Sequence, residues 1–327
     1  MSILVTGSAG HLGEALIRRL RAMGQSVRGL DIKATPFTDH VGSIGDRNLV
    51  RQCMEGVHSV IHTATLHKPH LATHSTQLFI DTNVTGTLVL LEEAVAARVE
   101  AFVFTSSTSA FGAALTPPAG HPAAWMTEDV VPVPKNIYGA TKIMAESLCE
   151  LFSRTRRLPV VVLRAARFFP EADDNEDIRK TYAMANIQAN ELLHRRADIE
   201  DVVSAHLLAV EKAPEIGFGR YIISATSPFA TSDLAALRRN AADVVRRLFP
   251  ECEALYTARG WTLFPEIDRV YVNERARSQL GWEPRYNFRH VLEALRENRD
   301  FRSPLAREVG SKGYHERVFS DGPYPVS

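Results

Sequence analysis

Two side chains in the middle of this sequence are of types that together can move a proton: Tyr138 and Lys142. Tyr138 and Lys142 stand four residues apart in Asn136-Ile137-Tyr138-Gly139-Ala140-Thr141-Lys142. On a helix that spacing puts phenol and ammonium on one face. A cation beside a phenol favours the phenolate, so Lys142 is expected to draw Tyr138 down from the usual value of about 10. The pair is then a candidate general acid/base for taking or returning a hydroxyl proton. Tyr-x-x-x-Lys is also common on solvated helices, so its meaning depends on the neighbouring signals.

The first such signal opens the chain. Ile3-Leu4-Val5-Thr6 is an apolar run that meets Gly7, Gly10 and Gly13, spaced three apart. Glu14-Ala15-Leu16-Ile17-Arg18-Arg19-Leu20 then reads as an amphipathic helix. Glycines let the backbone turn sharply and approach a pyrophosphate, which rests on the helix N-terminus. Gly7, Gly10, His11, Leu12 and Gly13 are therefore the candidate phosphate cradle. Asp31 ends Ser26-Val27-Arg28-Gly29-Leu30-Asp31, about 20 residues on, where a carboxylate meets an adenosine ribose. A carboxylate there repels a 2′-phosphate, which favours NAD over NADP, although Arg28 and Lys33 lie close by.

These residues need a scaffold, and the chain alternates strand and helix signals to build it. Val57 to Ala64 reads as a buried strand ending in small residues, and Leu78 to Ala97 as one long helix. Ala101 to Ser109 is an apolar strand closing on consecutive hydroxyl residues, and Pro159 to Arg164 is another strand. Asp46 or Asn48 is expected to cap a helix over Leu49 to Met54. This alternation predicts an α/β fold with a parallel, doubly wound sheet whose ligands sit beyond the strands' carboxyl ends.

The ordered set resembles the extended short-chain dehydrogenase/reductases, in particular the NAD-dependent epimerase/dehydratase family. It comprises Thr6-Gly7-x-x-Gly10-x-x-Gly13, Asp31, Asp46, His62-Thr63-Ala64, Asn83, Phe104-Thr105-Ser106-Ser107, Tyr138-x-x-x-Lys142 and Arg164. Asp198-Ile199-Glu200-Asp201-Val202-Val203 and Leu280-Gly281-Trp282-Glu283-Pro284 extend the likeness to about residue 300. The resemblance implies a Rossmann-type NAD-binding domain over 1–165, a smaller, mainly substrate-binding C-terminal lobe over 166–300 with some segments returning to the Rossmann domain, and an irregular tail over 301–327. It makes Tyr138 the acid/base, has Lys142 hold the nicotinamide ribose, and gives Ser107 the reacting oxygen. Asp31 would take the adenosine ribose, with Asp46 and Arg47 near adenine. Thr63, Ala64 and Asn83 would line the cofactor's path, and a homodimer would form through Leu78–Ala97 and Ala140–Phe152.

The sequence also departs from that pattern. Arg167 stands where sugar-nucleotide members usually carry an asparagine; it either binds an anion bidentately or pairs with Glu171, Asp173 or Asp174. Asp177 to Arg196 reads as essentially one helix, a short segment that points to a substrate smaller than a full nucleotide sugar. His62, His67, His70 and His74 are clustered, but the proline and loop among them do not give metal spacing. Lys68, or else His67, is expected to reach cofactor or substrate, with Lys68 one residue later than the family spacing. Thr108 is a further substrate candidate, and the Pro-rich 113–134 stretch is expected to cover the substrate.

Balanced charge, 38 basic against 38 acidic residues over 327, argues against nucleic acid or membrane surfaces as partners. No apolar run approaches the roughly 20 residues of a transmembrane helix. The scattered Cys53, Cys149 and Cys252 suit a reducing cytoplasm. The expected function is an NAD-dependent sugar or nucleotide-sugar epimerase acting at a secondary alcohol. The alternatives are a dehydrogenase or reductase of a free sugar, sugar acid or small carbonyl compound, and a non-catalytic NAD-binding protein.

Overall fold

The computed structural model describes residues 2–171, 173, 175–313 and 319. The first half runs β1 (Ser2–Thr6), α1 (His11–Ala22), β2 (Ser26–Asp31), β3 (His40–Val41), α2 (Arg47–Met54) and β4 (Ser59–His62). It continues through α3 (Thr76–Ile80), α4 (Gly86–Ala96), β5 (Ala101–Ser107), β6 (Ala124–Met126), α5 (Ile137–Arg156) and β7 (Val160–Ala165). Next come α6 (Glu176–Thr181), α7 (Met184–Glu191), α8 (Ile199–Ile216), β8 (Phe218–Ile223), α9 (Leu234–Leu248) and α10 (Cys252–Thr257). Last are β9 (Arg269–Tyr271), α11 (Glu274–Leu280), α12 (Phe288–Arg296) and α13 (Pro304–Val309).

Seven strands pair in parallel in the order β3-β2-β1-β4-β5-β7-β8. The order reverses between β1 and β4, so the loops leaving those strands diverge and open a crevice. Both faces of the sheet are buried, which is why β7 reads as an unbroken apolar run rather than an alternating one. One face packs α1, α8 and α11 through Leu16, Val202 and Leu280; the other packs α2, α4 and α5 through Val50, Leu90 and Cys149. A separate apolar cluster joins α7, α9, α10 and α12 through Ala189, Leu237, Tyr256 and Val291.

Two of the sequence motifs meet in space. The Trp282 indole N–H donates to the Asp201 carbonyl at 3.1 Å, and the Asp201 carboxylate accepts the Arg285 and Tyr286 amides, each at 2.9 Å. The C-terminal motif thus locks the start of α8 against the sheet.

Three expectations about elements are corrected. The long helix over Leu78–Ala97 is α3 and α4 joined by a π-helical turn, Asp81–Thr85. The single helix over Asp177–Arg196 is broken into α6 and α7, because Tyr182 is extended (φ −125°, ψ 140°) and packs its ring on Phe264 at 5.1 Å. The Pro-rich 113–134 stretch contains β6, which pairs in parallel with β9. The tail is not wholly irregular, since Ser303 caps α13, Pro304 opens it, and α13 packs beside α1 and α8. The rest of the tail reading, 314–318 and 320–327, lies outside the described residues, as does Asp174.

Candidate active site

The glycine loop closes tightly because three positions have no side chain. Gly7 has φ +72°, and a Cβ there would lie 2.6 Å from the Ala64 amide nitrogen. A Cβ on Gly13 would lie 2.0 Å from the Gly7 carbonyl oxygen, so the first turn of α1 can sit on the loop only as glycine. Gly10 is the cap of α1, and its amide donates to the Gly7 carbonyl at 3.0 Å. His11 and Leu12 follow as buried first-turn residues. A helix start presented by bare backbone in this way suits a pyrophosphate.

Asp31 lies at the end of β2 and fastens the loop, its carboxylate accepting the Ala9 amide at 3.0 Å and the Lys33 amide at 2.9 Å. On the other side of β1, the Thr63 hydroxyl donates to the Thr6 carbonyl at 2.7 Å, and the Ala64 amide donates to the Thr6 hydroxyl at 3.3 Å. Asp31, Gly7–Gly13, Thr63 and Ala64 therefore line one crevice. Asp46, rather than Asn48, caps α2, accepting the Asn48 and Leu49 amides. Arg47 follows it as the first residue of α2, its guanidinium bridging α2 to α4 by pairing with Glu92 and, at 2.9 Å, with Glu93.

Ser107, Tyr138 and Lys142 converge as their spacing predicts. Asn136 caps α5, its side chain accepting the Gly139 amide at 3.0 Å, and this fixes Tyr138 and Lys142 in the first two turns. Tyr138 is 2% exposed and hydrogen-bonds the Ser107 side chain from the end of β5. The Lys142 ammonium donates to the Thr105 carbonyl at 2.9 Å and lies 6.0 Å from the centre of the Tyr138 ring.

The electrostatics reverse the expectation for Tyr138. Burial pushes its phenol up to about 12, while the Ser107 hydrogen bond works in the other direction. Burial also draws Lys142 down to about 7, with Glu146 and Cys149 holding it up in part. Desolvation, not the neighbouring cation, dominates both groups.

Beneath the trio lies a fully satisfied polar network. His62 spans β1 and α4, pairing Nδ1 with the Thr6 hydroxyl at 2.8 Å and Nε2 with the Thr87 hydroxyl at 3.0 Å. Burial takes it down to about 3, so it is neutral at ordinary pH. Asn83 sits in the π-helical turn and is buried. It accepts the Leu66 amide at 2.7 Å and donates to the Leu66 carbonyl and to the Thr141 hydroxyl, both at 3.0 Å. It joins the loop after β4 to α5, directly behind Tyr138. π-turns are frequent at functional sites for this kind of re-aiming.

The substrate-facing expectations fare differently. Thr108 is buried, its hydroxyl donating to the Ala165 carbonyl at 3.4 Å. Arg167 follows the pairing alternative: Nη1 meets Asp173 at 2.9 Å, Nη2 donates to the Glu171 carbonyl at 3.2 Å, and the guanidinium lies over the Phe169 ring at 5.3 Å. Lys68 opens a 3₁₀ turn, Lys68–Ala72. The residue against Tyr138 is His67 instead, with ring centres 5.0 Å apart, and its other neighbour is Phe169 at 5.4 Å. The spacing held that signal, since His67 occupies the family's lysine position and Lys68 lies one beyond it. Among the described residues, no group of three or more His, Cys, Asp or Glu is arranged to hold a metal ion.

The NAD dependent epimerase/dehydratase family model matches residues 3–223. A Methylococcus capsulatus protein named sterol demethylase protein B is 30% identical over 68% of this chain and 70% of its own length. A UDP-glucose 4-epimerase of Rhizobium meliloti is 24% identical over 90% of this chain and 95% of its own. Other curated relatives align over shorter stretches, the chain spanning 39% and 53% of the length of two of them. A short-chain dehydrogenase/reductase superfamily protein of Agrobacterium tumefaciens, solved with bound NAD, superposes with a TM-score of 0.64 at 25% identity, over 94% of this chain and 99% of that one. The matched stretch runs from the glycine loop through Tyr138 and Lys142 to the last strand of the sheet, and the chain belongs to the NAD-dependent epimerase/dehydratase family.

Proposed function

We propose that this chain is an NAD-dependent epimerase that inverts a secondary alcohol of a nucleotide sugar, with Tyr138 as acid/base, Ser107 as partner to the reacting oxygen and Lys142 beside them. The observation that carries this reading is the buried Ser107–Tyr138 hydrogen bond with Lys142 one helical turn on. The relatives that bear UDP-glucose 4-epimerase names support the substrate class.

The crevice fits NAD. Gly7, Gly10, His11, Leu12 and Gly13 offer bare backbone and a helix start to a pyrophosphate, and a Cβ at Gly7 or Gly13 would fill that cradle. Asp31 offers a carboxylate to the ribose and disfavours a 2′-phosphate. Thr63, Ala64 and Asn83 border the path towards Tyr138. When bound, NAD supplies a hydride acceptor that can give the hydride back.

In its phenolate form Tyr138 takes the proton from the alcohol oxygen as the carbon becomes a ketone, and Ser107 holds that oxygen by a hydrogen bond. When the hydride returns to the opposite face, Tyr138 gives the proton back. The net change is inversion at one carbon with no change of redox state. Lys142 stabilises the phenolate while the proton is away, and His67 and Phe169 form an aromatic wall that excludes water from the reacting oxygen.

The reading includes a homodimer and a reducing, cytoplasmic setting. The latter is supported by three buried free cysteines, and no helix among the described residues is long and apolar enough to cross a membrane. Tyr138→Phe keeps the ring and its packing but removes the transferable proton. Turnover should fall by about 100-fold or more while NAD binding, measured by calorimetry, stays within about threefold of the parent, a change worth less than about 1 kcal/mol. Comparable turnover in the two proteins would overturn the assignment.

A further inference from the structure

The end of the chain returns to its beginning. Lys312, some three hundred residues from the glycine loop, donates its backbone amide to Glu171 at 3.0 Å. The Ser311 hydroxyl donates to the same Glu171 carboxylate oxygen at 2.9 Å, and the Lys312 ammonium pairs with Glu14. His11 is the first residue of α1 and pairs with Glu171 at 2.7 Å. Three elements therefore meet at the phosphate end of the crevice: the first turn of α1, directly after the glycine loop, the segment after β7, and residues 310–313 after α13.

Two physical consequences follow. Glu14 is a buried carboxylate in the first turn of α1, where it complements the helix dipole but opposes an incoming pyrophosphate. Arg18 at 2.8 Å and Lys312 neutralise it, which restores the helix start as an anion site. Glu171 is held down to about 2 despite its burial, its partners being His11 and Ser311; it is the anchor on which the strand-end segment and the tail both fasten. From Glu171 the contacts run inward through His11, Phe169 at 6.2 Å, and His67 at 5.4 Å to Tyr138. The fastening shares one packed row with the acid/base.

We propose that residues 310–313 are a strap across the phosphate end of the cofactor crevice, anchored on Glu171 and Glu14, and that it sets how long the dinucleotide stays bound. This rests on the reading of the crevice as an NAD site. Slow release suits an enzyme that must return the hydride it has taken, because loss of the reduced cofactor in mid-cycle would strand the ketone.

The test loads the full-length protein with NADH and follows the loss of its fluorescence after a chase of excess NAD. Glu171→Gln, Lys312→Ala and a chain ending at Gly310 should each release NADH about tenfold faster or more, the effect of removing a charge-assisted contact. Lys312→Arg should restore slow release. The point variants keep the test decisive if the shortened chain fails to fold. Wild-type protein that binds no NADH would overturn both the strap and the NAD reading. Wild-type protein that binds NADH, with all variants releasing it at the same rate, would overturn the strap alone.

Discussion

The charge of Lys142 governs the site at the residue scale. Its ammonium is buried, makes a hydrogen bond to one carbonyl, and is drawn down to about 7 from an ordinary 10.5. A lysine depressed on folding leaves the unfolded chain with more bound protons between those two values. Stability should therefore rise with pH from about 7 towards 10.5, by up to about 1.4 kcal/mol per pH unit from this group. Lys142→Met lacks that contribution. Urea unfolding of both proteins at pH 7 and pH 9 should show the parent gaining on the variant; an unchanged difference would mean that Lys142 keeps its proton throughout. His62, lowered to about 3, acts in the same direction at lower pH, its stabilising effect being lost as pH falls from 6.5.

Residues of this kind were legible in sequence as types and spacings, but not as electrostatics. Tyr138 and Lys142 were found because helical periodicity brings i and i+4 together, and Ser107 through the family resemblance of the strand end that carries it. The direction of the Tyr138 shift was missed because burial depends on β5, α5 and the loop after β4 packing at once, which no local spacing encodes. Arg167 could be read in sequence either as an anion ligand or as an ion-pair partner, and the folded chain sets it against Asp173.

Among elements, β5, β7 and α5 are joined by one buried ion pair. Arg164 on β7 donates to Glu146 on α5 through Nε at 3.0 Å and Nη2 at 2.8 Å, and the Ser106 hydroxyl on β5 donates to the same carboxylate at 2.5 Å. Removing one partner leaves the other charge buried, at a cost of about 3–5 kcal/mol. Glu146→Ala should lower stability by that amount in denaturant titration; a loss below about 1 kcal/mol would show that the pair contributes little to docking α5 on the sheet. Strands β1, β2, β5 and β7 were legible because short apolar runs, closed by glycine after β1, Asp31 at β2, hydroxyl residues at β5 and Arg164 at β7, have few other solutions in an α/β chain. The π-turn at Asn83 and the break at Tyr182 were not, since each satisfies a tertiary contact, with Thr141 and with Phe264 respectively.

Over the whole molecule, α3 and α5 leave apolar side chains in solvent. Leu78, Met144 and Leu151 are 42%, 45% and 41% exposed, and Met144 and Leu151 lie seven residues apart on one face of α5. Such a stripe suits a second copy meeting α5 across a two-fold axis. Sedimentation should give a dimer at micromolar concentration, and the double variant Met144→Glu, Leu151→Glu should give a monomer. A parent that sediments as a monomer would remove the dimer from the account.

The central claim concerns inversion at one carbon of a nucleotide sugar. The most direct test incubates NAD-loaded protein with UDP-galactose and follows the appearance of UDP-glucose. The account predicts conversion to an equilibrium mixture with no accumulation of NADH, and none with Tyr138→Phe. NADH accumulating in proportion to sugar consumed, or no conversion while NAD remains bound, would contradict it.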